Sequence, residues 1–335
     1  MHKRLVNHCT IELSIIPNGP ILIKSGKEGA DPTKPDMEFV ETYHQGGRSV
    51  YLPGSSLKGA IRAHAERIVR TVGSEQRKQD DYQHLWASNP LQLNDYDYLK
   101  NYSETHDIYK THNIYKWSSF TDQMFGSTAI ASRIRIEDAY PDPEAENDPN
   151  RKLKLEERNG VAIDRVFGSV AVGPFNYQVC TRGEFCTKIH LKNFTLAQLG
   201  LVGLVLRDLN DGWFGLGFAK SRGLGTVQVK LKTATVQYPG CVLGEDNRIH
   251  RLGSSQRWEP TTLLGAGAFF DESKDEEKKE REAYGFLSND LQSELSVTAE
   301  AMELGFGVQL IWQGKEQVKD LFMRAVKAWS GRVAR

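Results

Sequence analysis

The chain has 335 residues, enough for one elaborated α/β domain or two small ones, with a sizeable core in either case. Apolar residues make up 39% of it, charged residues 26% and aromatic residues 10%, a globular profile that excludes wholesale disorder, collagen and coiled coil. Lysine and arginine total 43 and so do aspartate and glutamate, so net charge gives no sign of a polyanionic partner and any basic surface must be local.

Cys9, Cys180, Cys186 and Cys241 lack the C-x2-C pairing of zinc ribbons and redox sites, and are expected to be free thiols in a reducing compartment. No apolar signal region follows the basic start and no run has the length of a bilayer span, which predicts a cytoplasmic protein with no membrane partner.

Taken in chain order, Cys9 to Ile16 alternates apolar and polar residues as a half-buried strand does, and Pro17-Asn-Gly-Pro20 ends it. A stretch rich in Gly, Pro, Lys and Asp from Ser25 to Gly47 reads as an exposed working loop, followed by a short strand at Ser49 to Leu52. Pro53 to Arg62 turns into a helix reaching Arg70, with Ser55 or Ser56 as N-cap and Leu57, Ile61, Ala65 and Ile68 at helical spacing. From Ser74 to Ser119 Tyr, His, Asp, Asn and Trp follow no sustained period, which predicts an irregular insertion outside the core. His84, His106, Asp107 and His112 within it match no metal-ligand spacing.

Ser132 to Asp138 alternates again, and Pro141 to Asn150 is an acidic, Pro-rich loop. Phe175 to Thr181 and Phe185 to Leu191 read as strands either side of a turn at Arg182-Gly-Glu184. Thr195 caps a helix over Leu196 to Leu209, and Trp213 to Gly225 leads into a strand at Thr226 to Leu231. Later, Asp271 to Arg281 reads as a solvated charge run, and Glu316 to Trp329 as an amphipathic helix with Val318, Leu321, Phe322, Ala325 and Trp329 on one side. The order β, α, several β, α, β predicts an α+β, ferredoxin-like domain over residues 1–240, with an insertion at about 74–120 and a C-terminal extension over 241–335.

Two segments carry anion chemistry. In Trp213 to Gly225, Gly217 and Gly223 let the backbone approach a ligand closely while Lys220, Ser221 and Arg222 offer phosphate donors. The turn Pro53-Gly-Ser-Ser-Leu-Lys-Gly59 sets Ser55, Ser56 and Lys58 at a helix start, where unpaired N–H groups favour an anion. Two such cradles in one fold suggest a polyanion.

These motifs, with Tyr51 to Arg62, Phe125-Gly126 before Ser132 to Ala139, Val161 to Arg165 and the loop Gly215 to Gly225, closely resemble the RAMP superfamily of CRISPR effector proteins. The likeness is greatest to the guide-RNA-binding backbone subunits of type III (Csm and Cmr) complexes, a type III-D variant with an insertion among them. It covers roughly the first two thirds of the chain and implies an RNA-recognition-like palm carrying a β-hairpin thumb within about 140–178. It also implies, as partners, a CRISPR guide RNA, single-stranded target RNA, sister RAMP subunits and the large subunit of the complex, in a prokaryotic cytoplasm. Ser55, Ser56, Lys58, Arg62, Arg133, Gly217, Lys220, Ser221, Arg222 and Gly223 are the candidate RNA contacts, and Val166, Phe167, Val170 and Phe175 the thumb residues that would wedge against bases.

Active members of that class cut target RNA with a divalent cation, Mg2+ or another, and an acidic residue in the loop before the serine turn. Asp36, ahead of Met37-Glu-Phe-Val40, best imitates that residue and is the candidate metal ligand; Asp31 is the second catalytic candidate, with Lys34 or His44 nearby to offset charge. Both aspartates adjoin prolines, as ordinary turns do. Two rivals share the fold: a non-cleaving structural or end-capping subunit, and a guide-processing RAMP endoribonuclease, whose general base would be His44 or His64.

Overall fold

The computed structural model describes residues 4–26, 35–44, 47–78, 81, 83–89 and 111–333. Asp31, Lys34, His106 and Asp107 lie outside the described residues. From the N-terminus the chain forms β1 (His8–Pro17), a hairpin of β2 (Glu41–His44) and β3 (Gly47–Val50), and helix α1 (Gly54–Val72). Two short helices, α2 (Thr111–Trp117) and α3 (Phe120–Phe125), precede β4 (Ile134–Ile136) and β5 (Tyr140–Pro141). A two-stranded ribbon, β6 (Lys154–Ile163) with β7 (Val170–Arg182), leads into β8 (Phe185–Lys192), α4 (Leu196–Asn210) and β9 (Val227–Tyr238). Beyond it come β10 (Cys241–Leu243), β11 (Ile249–Arg251), β12 (Arg257–Trp258), β13 (Leu263–Leu264), α5 (Asp275–Tyr284), β14 (Leu291–Gln292), β15 (Glu300–Ala301), β16 (Val308–Gln313) and α6 (Gly314–Val333).

The main sheet is antiparallel, in the order β15-β16-β9-β1-β8-β4 with β5 also on β8. Alternation along β1 sends Cys9, Ile11, Leu13 and Ile15 into the core and leaves His8, Thr10 and Glu12 on the opposite face. There the register sets His8 beside Lys192 and Thr10 beside His190 on β8, and Arg135 of β4 beside His190. A bulge after Glu12 skips Lys232 on β9, whose Nζ reaches Cys186 Sγ at 3.2 Å.

Helices α1, α4 and α6 cover the apolar face. Leu57, Ile61, Ala65 and Val69 form the buried stripe of α1, and Thr195 closes a capping box with Gln198 at the start of α4. α6 seats against α4 because α4 has glycine where the helices touch: a Cβ on Gly200 would lie 2.6 Å from the Ala325 carbonyl oxygen, and one on Gly203 2.7 Å from the Phe322 ring. The segment 241–335 thus shares the sheet and the core with the residues before it, through β16 with its buried Trp312 and through the predicted apolar side of α6.

Three expectations change. The 74–120 segment is not irregular at its ends: α2 is helical, and Leu85, Trp86, Ala87 and Tyr115 are buried. The projecting ribbon spans 154–182 rather than 140–178, because residues 140–141 still pair with β8. The Asp271 to Arg281 run is only partly solvated, since Asp271 is buried, accepting from Ser254 and Ser273, and Glu277 pairs with Arg251 at 2.7 Å. All four cysteines are unpaired, and among the described residues no helix is long and apolar enough to cross a membrane.

Candidate nucleic-acid interface

The serine turn opens α1 against β4 and β8. Gly54 is required there because a Cβ would sit 2.3 Å from the Ile136 carbonyl oxygen. The helix begins one residue before the expected caps: Pro53 is the N-cap, and the Gly54 N–H donates to Asp138 Oδ1 at 2.7 Å. Ser55 and Ser56 therefore stand exposed in the first turn. Lys58, one turn on, is half-buried and donates to Ser132 Oγ at 2.9 Å. Burial, with the Arg62 charge beside it, lowers the Lys58 pKa. The cleft in front of this turn has a volume of about 470 Å³ and is lined by Ser55, Lys58, Arg135, Lys192, His8 and His190. No carboxylate is part of that lining; Glu137, outside it, bonds Arg135 and His190, which leaves Lys58 and Lys192 as the cations that favour an anion there.

Two predicted contacts are corrected. Arg133 is 5% exposed; its Nη1 donates to the Asn193 carbonyl at 2.6 Å, and its guanidinium lies 3.9 Å from the centre of the Tyr115 ring. Its guanidinium is thus engaged internally, as a core cation. Arg62 is likewise engaged internally, bonding Glu66 at 2.8 Å, Asp122 at 2.7 Å and the Gly126 carbonyl at 3.0 Å. Apart from Glu66, one helical turn on from Arg62, these partners lie far off in sequence or in the insertion, where spacing gives no signal.

The glycine loop stands beyond the other end of β1. Lys220–Arg222 forms one exposed 3-10 turn between Ala219 and Gly223, both left-handed. Gly217 packs on the chain after β1, where a Cβ would come within 2.2 Å of the Leu22 carbonyl oxygen, and the loop is pinned by Phe218 N–H to Leu22 O at 2.7 Å and Gly225 N–H to Pro20 O at 2.8 Å. The Arg222 guanidinium rests over the Phe218 ring at 5.0 Å. Lys220 and Ser221 are exposed beside it. The two cradles are thus separate: His8 and Lys192 lie at the start of β1, and the ten residues of that strand put the loop roughly 30 Å away.

The ribbon carries the remaining candidates. At its tip Asp164 Oδ1 accepts from the N–H groups of Val166 at 2.7 Å and Phe167 at 2.9 Å, an Asx turn that presents these two side chains 82% and 83% exposed. Val170 is also exposed. Phe175 differs: its ring lies across the strand over Gly160, 2.6 Å from where a Cβ would be, so it packs within the ribbon. Asp36 lies beside the middle of the ribbon, exposed, with Oδ2 accepting the Asn176 N–H at 2.8 Å, while Met37 pairs by backbone with Asn176 and Gln178. Among the described residues the one grouping of three potential metal ligands is Asp142, Glu184 and Cys186. Arg151 bonds Asp142 at 2.6 Å and Glu184 at 2.9 Å. Asp36 is not part of it.

His64 is buried instead of lying on the helix surface; its Nε2 is 2.8 Å from Asp208 Oδ2 and its ring stacks on Phe214, so it ties α1 to α4. His44 stacks on Tyr140 at 3.6 Å, with Tyr51 beyond at 5.8 Å, a platform beside the open sheet that no sequence period announces. Comparison with curated proteins gives no match. The sequence matches the RAMP superfamily over residues 17–228, from the last residue of β1, through both cradles and the ribbon, to the start of β9. A match over more than half the chain, spanning each of these features in order, means that this chain belongs to the RAMP superfamily.

Proposed function

We propose that this chain is a backbone subunit of a type III CRISPR effector complex, holding the guide RNA and its complementary target RNA. The sheet order β9-β1-β8-β4 with α1 and α4 on one face supports reading it as a ferredoxin-like palm, and the ribbon β6–β7 as its thumb. The observation that carries the proposal is the acid-free cleft where the first turn of α1 meets β4 and β8. Ser55, Ser56 and Lys58 on one cradle and Lys220, Ser221 and Arg222 on the other would contact phosphates, which position a strand without reading its sequence. Val166 and Phe167, exposed at the ribbon tip, would stack on bases. Other RAMP subunits and the large subunit are its proposed protein partners.

No cutting step is assigned to Asp36, because among the described residues it belongs to no grouping of three potential metal ligands. The test of RNA holding is binding of single-stranded RNA as a function of salt. Lys58→Ala combined with Arg222→Ala removes two phosphate contacts and should flatten the log–log salt slope by about 1.4, at about 0.7 per contact for single strands. An unchanged slope would remove the two cradles from the RNA path.

A further inference from the structure

The cleft at the start of α1 contains two histidines that the phosphate contacts above do not use. His8 and His190 have ring centres 5.6 Å apart. His190 is fixed, with Nε2 2.9 Å from Glu137 Oε1 and Nδ1 3.2 Å from Thr10 Oγ1. Glu137 also accepts from Arg135 at 2.9 Å, so its carboxylate is already shared between two partners. Among the described residues His8 has no carboxylate partner. It faces His190 and Lys192 from β8, Arg135 from β4, and Gln237 from β9, while Lys58 of α1 lines the same cleft. Among the described residues the groups whose charge acts on His8 are His190, Arg135 and Lys192.

Resting on the RNA-holding role, we propose that this cleft is a proton-linked phosphodiester site in which His8 takes up a proton as an RNA phosphate enters between Lys58, Arg135 and Lys192. The helix start does not itself supply the site, since the Gly54 N–H is taken by Asp138; the converging side chains do. With the cleft empty, burial comes first and the charges of His190, Arg135 and Lys192 second in lowering the His8 pKa below its ordinary value. A phosphodiester brings one negative charge among those cations and reverses the balance. The sign follows: between the lowered pKa of the empty cleft and the raised pKa of the occupied one, binding takes up a proton, so affinity rises as pH falls. Below the lower value both states are protonated and affinity levels off. Each unit by which the phosphate raises the His8 pKa corresponds to about tenfold in affinity across the window.

The experiment measures binding of a 5′-hydroxyl single-stranded RNA to the full-length chain at constant ionic strength, from about pH 8 down to about pH 5, where histidine titrates. Only phosphodiesters are then present, and these do not titrate in that range. We expect wild type to bind more tightly toward acid pH and His8→Gln to bind with a flat profile. Arg135→Gln, which removes an exposed cation, should move the rise to higher pH by relieving His8. Histidine NMR should show the His8 titration moving up when RNA is added. RNA binding that is flat in the wild type, or a slope retained in His8→Gln, overturns the proton link and leaves the RNA-holding role standing. Absence of RNA binding at every pH by the folded chain overturns both. Saturation by a mononucleotide in place of RNA would reassign the cleft to a small phosphate ligand, and would show the opposite trend, since a phosphomonoester loses charge near its second pKa of about 6.

Discussion

Arg62, Arg133, Lys58 and Arg222 are alike in sequence, each a basic residue beside a turn or strand end, and the fold divides them by their neighbours. Arg133 meets Asn193, sixty residues on, and Tyr115 and Phe286 from opposite sides of the chain; Lys58 ends in the cleft on Ser132 Oγ and Arg222 on exposed surface. Removing the Arg133 side chain leaves the Asn193 carbonyl and a ring stack without their cation, and a charge-assisted hydrogen bond with a desolvated stacking contact is worth about 3 kcal/mol. Arg133→Ala should therefore lower unfolding stability by about that amount in denaturant titration, while the salt slope of RNA binding stays at the wild-type value. A normal midpoint with a shallower slope would return Arg133 to the RNA contacts.

At the scale of elements, legibility tracks local pattern. β1, α1 and α4 were readable because each buries one periodic face and α4 opens on a side-chain cap. β15 and β16 were not, since Glu300–Ala301 is two residues long and β16 is defined by its pairing with β9, about seventy residues earlier, a contact that no local period encodes. The ribbon was legible as an excursion but not in its bounds, because Tyr140–Pro141 and Lys154 differ only in what they pair with. The same non-local pairing decides what Asp36 does. Its loop is held to β7 by the Met37 backbone, so loss of the carboxylate costs one exposed hydrogen bond, about 1 kcal/mol. Asp36→Ala should keep RNA binding and complex assembly. In the assembled complex with Mg2+, its ladder of products from labelled complementary RNA should match wild type. Loss of one band would make Asp36 a cleaving residue and overturn that expectation.

For the whole molecule the question is whether the first 240 residues fold without the rest, as reading 241–335 as an extension invites. The packing argues that they do not. β16 caps the β9 edge, Trp312, Val318 and Leu321 are fully buried, Phe322 and Ala325 of α6 meet α4, and Trp329 packs on Phe120. Cutting the chain at 240 would uncover an open strand edge and the glycine-bearing side of α4 together, and an unpaired apolar edge is a template for aggregation. Gly200 and Gly203 have no side chains with which to close that surface. A chain of residues 1–240 should accordingly be insoluble or unfold without a cooperative transition, while the full chain unfolds as one unit by circular dichroism. Co-expression of 241–335 with 1–240 should restore a soluble complex, because the interface is continuous with the core. A monomeric, cooperatively folding 1–240 that retains the salt-dependent RNA binding of the full chain would show instead that β16 and α6 are additions to a self-sufficient palm.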